Sequence, residues 1–375
     1  MESSKEEKKA SQFEEKLNKW VTDHLTRVPF AQKTLFVHHL QIMIKSGLSI
    51  VNALQILSDE IENKKLQVLI ADVKKEVETG KQLSEALGKF PTVFPPIYVS
   101  MIAAGETSGK LEQSLVQIHE QMKKSQELTS RIRGALIYPA IVLVAMVGIA
   151  IEVVVFVLPK LMVMFKEFDA QLPLATRILI KITDFGQMIF TTYVGIIVLA
   201  LAIGLWFLGK KIYSMHNVKR FIHLVYLKIP IFGSVIQKIS LARFTLTLSS
   251  LLESAIPIID AVKITSDVLG NIRYKETLAE AAEGLKKGQT LSQILEKYRL
   301  TFPPMVTEMV MVGEETGQVE HMLKELSEYY TSEVDTTMRN FSTIVEPVII
   351  LALGLAVAGI AVSVIMPMYS LAQSF

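Results

Sequence analysis

Hydrophobic positions along the chain follow two patterns. In the first, Leu40, Ile44, Leu48, Val51, Leu54 and Ile61 recur every third or fourth position, and Leu248, Leu252, Ile259, Val262 and Leu269 do the same further on. Charged residues take the opposite face, which is the pattern of amphipathic helices in a bundle. No strand-like alternation accompanies them. The second pattern is continuous. Apolar windows run over 135–158, 188–208 and 344–366. The first is interrupted only by Tyr138, Pro139 and Glu152, the second holds no charge, and the third is charged only at Glu346. A hydrocarbon core of about 30 Å takes about 20 helical residues, whereas a buried core helix gives apolar runs nearer about 10–14. The three windows are read as transmembrane helices.

Residues 36–159 repeat as residues 244–367. A single shift of 208 pairs Phe36 with Phe244, Leu40 with Leu248, Gly80 with Gly288, and Leu83-Ser84 with Leu291-Ser292. Phe94-Pro95-Pro96 falls on Phe302-Pro303-Pro304, Gly105-Glu106 on Gly313-Glu314, Gly109 on Gly317, and Pro139 and Pro159 on Pro347 and Pro367. A repeat this long marks a duplicated domain and not a solenoid. Breakers at Gly80, at Phe-Pro-Pro and at Gly105–Gly109 punctuate each unit into a small antiparallel helical bundle with short connections.

The predicted fold is an all-α membrane protein of two homologous cytoplasmic helical bundles and three transmembrane helices. Its segments are a mixed-charge tail (1–29), a first bundle (30–134), a first transmembrane helix (135–158), an external loop (159–187), a second transmembrane helix (188–208), a second bundle (209–343), a third transmembrane helix (344–366) and an external tail (367–375). Basic flanks set the orientation. Lys123, Lys124, Arg131 and Arg133 precede the first window, Lys210, Lys211, Lys219 and Arg220 follow the second, and Arg339 precedes the third. The N-terminus is therefore expected in the cytoplasm and the C-terminus outside. The first residues, MESSKEEKKASQFEEK, contain no apolar stretch of the signal-peptide kind.

Composition narrows the chemistry. The chain has 375 residues, 39 Lys and Arg against 37 Asp and Glu, and no Cys. A net charge of +2 argues against direct nucleic-acid binding as the main role. The lack of Cys excludes disulfides, iron–sulfur clusters, thiolate zinc sites and cysteine nucleophiles. The seven His show no metal-ligand spacing, and no nucleophile elbow is present. His38-His39 is adjacent, which points the two rings to different helix faces, and the other repeat has Leu246 and Thr247 there. No catalytic residue, cofactor or metal site is predicted.

The corner Ala104-Gly105-Glu106-Thr107-Ser108-Gly109-Lys110 imitates a phosphate loop. It lacks the first Gly, the final hydroxyl and a preceding strand, and its second copy has no Lys. It is read as a helix–turn–helix corner. Gly105 and Gly313 would take the left-handed conformation that ends a helix. Thr107-Ser108-Gly109 and Glu315-Thr316-Gly317 would start the next one, with Glu106 and Glu314 near its positive end. Gly105, Glu106, Gly109, Gly313, Glu314 and Gly317 are the candidate corner or partner-contact residues. Two intramembrane carboxylates complete the set. Glu346 lies at the inner end of its window, and Glu152 sits within the first. Such groups face protein or water, since lipid exposure is costly. A helix-packing role is preferred for Glu152. The alternative is a small ion- or proton-coupled transporter that uses it, but such a path needs several polar residues.

Phe36-x-x-x-Leu40, Gly47-Leu48-Ser49-Ile50, Gly105-Glu106-Thr107-Ser108-Gly109, Tyr138-Pro139 and the run from Leu172 to Leu179 occur in order in the first half. Ala255-Ile256-Pro257, Gly313-Glu314-Glu315-Thr316-Gly317 and Glu346-Pro347 follow in the second. With this topology, the chain resembles the type II secretion F-domain family from about Val28 to Ala372. These are the inner-membrane platform proteins of type II secretion systems and type IV pili, including DNA-uptake pili. The resemblance implies a non-enzymatic role between a cytoplasmic hexameric ATPase and pilins or pseudopilins, beside other inner-membrane assembly proteins and as a homo-oligomer. Two departures stand out. The tail before the first unit is short for the family, and Ala255 replaces the usual Gly, a change not expected to disturb the fold.

Overall fold

The computed structural model describes residues 28–153, 156, 159, 210, 215–229 and 232–372, and among them every regular element is helical. The second apolar window, the Leu172–Leu179 run and nearly all of the N-terminal tail and external loop lie outside these residues. The first repeat gives α1 (Phe30–Lys45), α2 (Ile50–Glu60), α3 (Lys64–Glu78), α4 (Leu83–Gly88), α5 (Pro96–Thr107) and α6 (Leu111–Glu152). After α7 (His216–Lys228), the second gives α8 (Phe232–Glu253), α9 (Ile258–Val268), α10 (Ile272–Lys286), α11 (Leu291–Glu296), α12 (Pro304–Thr316) and α13 (Val319–Ala372). The bounds of α2, α3 and α4 recur in α9, α10 and α11 at the 208-residue shift.

Local chemistry sets these boundaries. The periodic run that reads as one helix from Leu40 to Ile61 breaks into α1 and α2, because Gly47 sits at φ +87°. Ser49 then caps α2 by accepting from the Asn52 amide, and Asn63 caps α3 through the Leu66 amide. In the second repeat Ala255 occupies the Gly47 position at φ +57°, the one non-glycine with positive φ among the described residues. The turn is kept, but an alanine there carries strain of roughly 1 kcal/mol.

The chain forms two compact units. One holds both bundles, residues up to Thr129 together with Ile236–Ser332. The Phe-Pro-Pro signature organises each core. Phe94 and Phe302 are fully buried, with ring centroids 5.6 Å from Phe36 and 5.2 Å from Phe244 respectively. The second proline starts the next helix at a position where no amide hydrogen is needed. Tyr274, also fully buried, donates from its hydroxyl to the Thr301 carbonyl at 2.8 Å, and burial pushes its pKa upward.

The other unit holds Ser130–Val235 and Glu333–Phe375. Arg131 pairs with Asp335 there, and Phe232 meets Phe341 edge-on at 5.6 Å. Val144 and Leu355 are each more than 70% exposed, and many apolar neighbours are exposed too, as expected of surfaces facing lipid. Among the described residues α6 and α13 are the single helices long and apolar enough to cross a membrane. The α7–α8 pair qualifies only when joined. Its apolar content on α8 belongs to the second bundle's core, where Leu241, Phe244, Leu248 and Leu251 are fully buried. The bundle and membrane segments of each repeat are not separate elements. At 42 and 54 residues, α6 and α13 run to about 63 and 81 Å, two to three bilayer cores long. The boundaries at 134/135 and 343/344 fall inside single helices.

Candidate functional site

The two Gly-Glu corners differ from the sequence-based expectation in three ways. The left-handed residues are Gly109 (φ +69°) and Gly317 (φ +71°), while Gly105 and Gly313 lie within α5 and α12. The helix continues past Gly105 because the Thr107 and Ser108 hydroxyls donate back to the Ala103 and Ala104 carbonyls, each at 2.8 Å. These side chains close α5 and do not cap α6. The Lys110 amide then reaches the Gly105 carbonyl at 2.8 Å and the Gly109 amide reaches Glu106 at 3.2 Å. That pair of bonds is a Schellman ending with glycine at the left-handed position. Gln318 repeats the first bond onto Gly313 at 2.8 Å.

Gly105 and Gly313 serve close approach. A Cβ on Gly105 would lie 2.5 Å from the Ser114 Cβ, and one on Gly313 would lie 2.8 Å from the Val319 Cα. The absent side chain lets α6 and α13 fold back across the preceding helix. Ser114, drawn in by this contact, donates to the Met101 carbonyl.

The glutamates reach a different helix from the one expected. Glu106 accepts from the amides of Leu83 at 2.6 Å and Ser84 at 3.0 Å, and from the Ser84 hydroxyl. Glu314 repeats the arrangement on Leu291 at 2.5 Å and Ser292 at 3.1 Å. The first turn of a helix leaves amides unpaired and carries partial positive charge. Each carboxylate therefore caps α4 or α11 from across the bundle and ties the corner to it. The Leu83-Ser84 and Leu291-Ser292 repeats found in the sequence are the other half of this contact. With its oxygens engaged this way, the pair is a structural clasp and supplies no free general base.

The inter-repeat contact carried no recognisable motif in the sequence. The Gln117 amide donates to the Glu253 carbonyl at 3.2 Å. Its oxygen accepts from Ser254 at 2.8 Å, and Ser250 donates to Gln121 at 2.6 Å. Helix α5 lies against α9. Between them opens a cleft of about 740 Å³, lined by Ser100, Ala104, Ile256 and Ile264 with Asp260 and Lys263 in its walls.

His38 and His119 form a second unforeseen contact, stacked at 4.3 Å between α1 and α6. Both Nδ1 atoms are buried without a hydrogen-bond partner. Burial, and then the neighbouring His38, lower the His119 pKa. His38 and His39 lie 6.1 Å apart, so adjacency on one helix did not keep His38 from a cross-helix partner. Among the described residues no three His, Asp or Glu side chains converge as a metal site. Glu152, at the end of α6, and Glu346, beside Pro347 in α13, are exposed.

The family described as "Type II secretion system (T2SS), protein F" matches residues 36–159 and again 244–367, the two repeats. The chain is 34% identical over 337 residues to the type IV pilus assembly protein PilC of Thermus thermophilus, covering 90% of this chain and 82% of the relative. It is 31% identical over 342 residues to PilC of Pseudomonas aeruginosa (90% and 89%), and 30% identical over 334 residues to the type II secretion system protein F of Vibrio cholerae (89% and 80%). Matched along both repeats and over most of the length of these relatives, the chain belongs to the type II secretion system protein F family.

Proposed function

We propose that this chain is the inner-membrane platform of a type IV pilus or type II secretion machine. The observation that carries this reading is the family match in both repeats, together with relatives named for pilus assembly and for secretion. The platform is not an enzyme. It couples a cytoplasmic hexameric ATPase to pilins or pseudopilins, which leave the bilayer for the growing fibre. The bundles face the cytoplasm with the N-terminus, the windows at 135–158, 188–208 and 344–366 cross the bilayer, and the C-terminus lies outside. The long helices suit that role. Each repeat runs from its bundle into its apolar window within one helix, α6 or α13, so the cytoplasmic and membrane parts are joined by helix and not by a loop.

The corner residues Gly105, Glu106, Gly109, Gly313, Glu314 and Gly317 act here by holding the bundle surfaces in shape for those partners. The test is a deletion strain. Fibre assembly or secretion should be lost and restored by the gene in trans, and the secretion ATPase should co-purify with the tagged chain from detergent. Normal assembly without the chain would reject the platform reading.

A further inference from the structure

Helix α7 belongs to the unit of the long helices, and only one of its sides is covered. His223 and Leu227 are buried on that side. Away from it the helix is apolar and open. Phe221 is 65% exposed, Tyr226 47%, Val225 38% and Ile229 37%. At about 100° per residue, Val218, Phe221, Ile222, Val225 and Ile229 fall on one stripe. The same register puts Lys219 at one edge of the stripe and Lys228 at the other. Over 209–240 the chain carries six Lys and Arg and no Asp or Glu. An apolar stripe in a basic surround is the pattern of a helix that lies in a membrane interface.

Both ends of α7 are tied to an apolar window. Its start follows the 188–208 window after the seven residues 209–215. Its end leads to Phe232, whose ring meets Phe341 of α13. Phe341 stands three residues before the third window, about 4.5 Å along the helix. The corner at Gly233 holds that end. Its amide donates to the Ile229 carbonyl at 2.8 Å, and a Cβ there would strike the Leu227 carbonyl. The 13 residues of α7 span about 20 Å. A helix of that length, with each end near the edge of a window, fits along the boundary plane.

We propose that α7 lies flat in the headgroup layer of a bilayer containing anionic lipids. The stripe at Phe221 and Val225 sinks to the upper acyl chains, and the basic residues at its edges meet lipid phosphates. Lipid is the occupant because the boundary that ends the two windows also passes α7. The acid-free stretch around the helix complements an anionic surface, and the basic flanks assign the cytoplasmic leaflet, where anionic lipids gather. The proposal rests on the reading that the windows cross the bilayer, and not on which machine the chain serves.

The chain has no cysteine, so single thiols report without background. Full-length Val225→Cys and Leu355→Cys carry a polarity-sensitive fluorophore in nanodiscs of phosphatidylcholine, with or without phosphatidylglycerol. Leu355 lies in the third window, and a nitroxide deep in the acyl chains should quench it. Val225→Cys should be shielded from acrylamide and quenched by a nitroxide near the headgroups, more strongly with phosphatidylglycerol present. Adding Lys219→Gln should lower the docked-to-free ratio about fivefold in the anionic discs, the effect of about 1 kcal/mol per lysine, and change it little in the zwitterionic ones. Val225→Cys open to acrylamide, with Leu355→Cys quenched, would overturn the proposal and leave the windows standing. Val225→Cys shielded from both quenchers would mean that protein covers the stripe, and would overturn it too. Equal docking in both discs would reject the part played by anionic lipid. An unquenched Leu355→Cys would reject the crossing windows and the proposal with them. Phe221→Cys gives a second position on the stripe, and a melting curve like the parent's is required of each variant.

Discussion

Single positions in this chain are decided by how much room the backbone leaves them. Ala255 sits at φ +57° in a turn that the first repeat builds with Gly47. Replacing it with glycine removes the left-handed strain, offset in part by the greater freedom of glycine in the unfolded chain. Ala255→Gly should raise stability by about 0.5–1 kcal/mol, read as a higher denaturation midpoint of the full chain in detergent. The opposite is expected at Gly105. A methyl there meets the Ser114 Cβ at 2.5 Å, so Gly105→Ala should lower stability by about 1–3 kcal/mol through overpacking. Gly313→Ala should be worse, since its obstacle is backbone of Val319 and cannot turn aside. If Gly105→Ala melts like the parent while Gly109→Ala does not, close approach is the wrong account of Gly105. Sequence located these glycines and grouped them correctly. It exchanged their roles, because the hydroxyls of Thr107 and Ser108 can either end one helix or begin the next, and only the packing of α6 selects between the two.

Among the elements, α4 and α11 show why spacing alone was insufficient. Each is a six-residue helix, too short to be stable in isolation. Each is held by a carboxylate 22 or 23 residues further along the chain. Glu106→Ala should therefore loosen α4 and cost about 1–2 kcal/mol, with faster amide exchange at Leu83 and Ser84 as the specific readout. The α1–α6 contact carries a pH response. His119 has its pKa lowered below the ordinary 6.5, first by burial and then by His38. A base with a depressed folded pKa binds fewer protons folded than unfolded. Stability from this site is therefore complete above about pH 6.5 and falls as the pH drops through that value. Of the charged groups near the pair, Glu120 opposes the shift and Lys123 adds to it. Melting of the parent should fall between pH 7.5 and pH 5 more steeply than that of His38→Leu, which installs the residue found at Leu246 in the second repeat. Equal slopes would remove the stack from the explanation.

For the molecule entire, duplication is the governing fact. It gave α2, α3 and α4 the same bounds as α9, α10 and α11, and it left the two bundles meeting through different faces. The membrane helices follow from the same unit, since each repeat ends in a helix too long for its bundle. Glu152 belongs here too. A polar helix-packing contact survives the change to an amide, whereas a proton-handling group does not, so Glu152→Gln should leave fibre assembly or secretion close to the parent level. Loss of function in that variant with normal membrane insertion would favour the transporter reading instead.

Helix, repeat and membrane window were legible along the chain because each is a local or periodic property. Apolar spacing near 3.6, an apolar run longer than a bilayer core, and a constant 208-residue shift all survive without knowing what touches what. Gly105, the reach of Glu106, the His38–His119 stack and the asymmetric pairing of the repeats were not legible. Each depends on which residues far apart in sequence come within a few ångströms, and copies of one unit predict equal shape but not which of their equal faces meet. The chain wrote the same bundle twice, and packing chose to join the front of one copy to the back of the other.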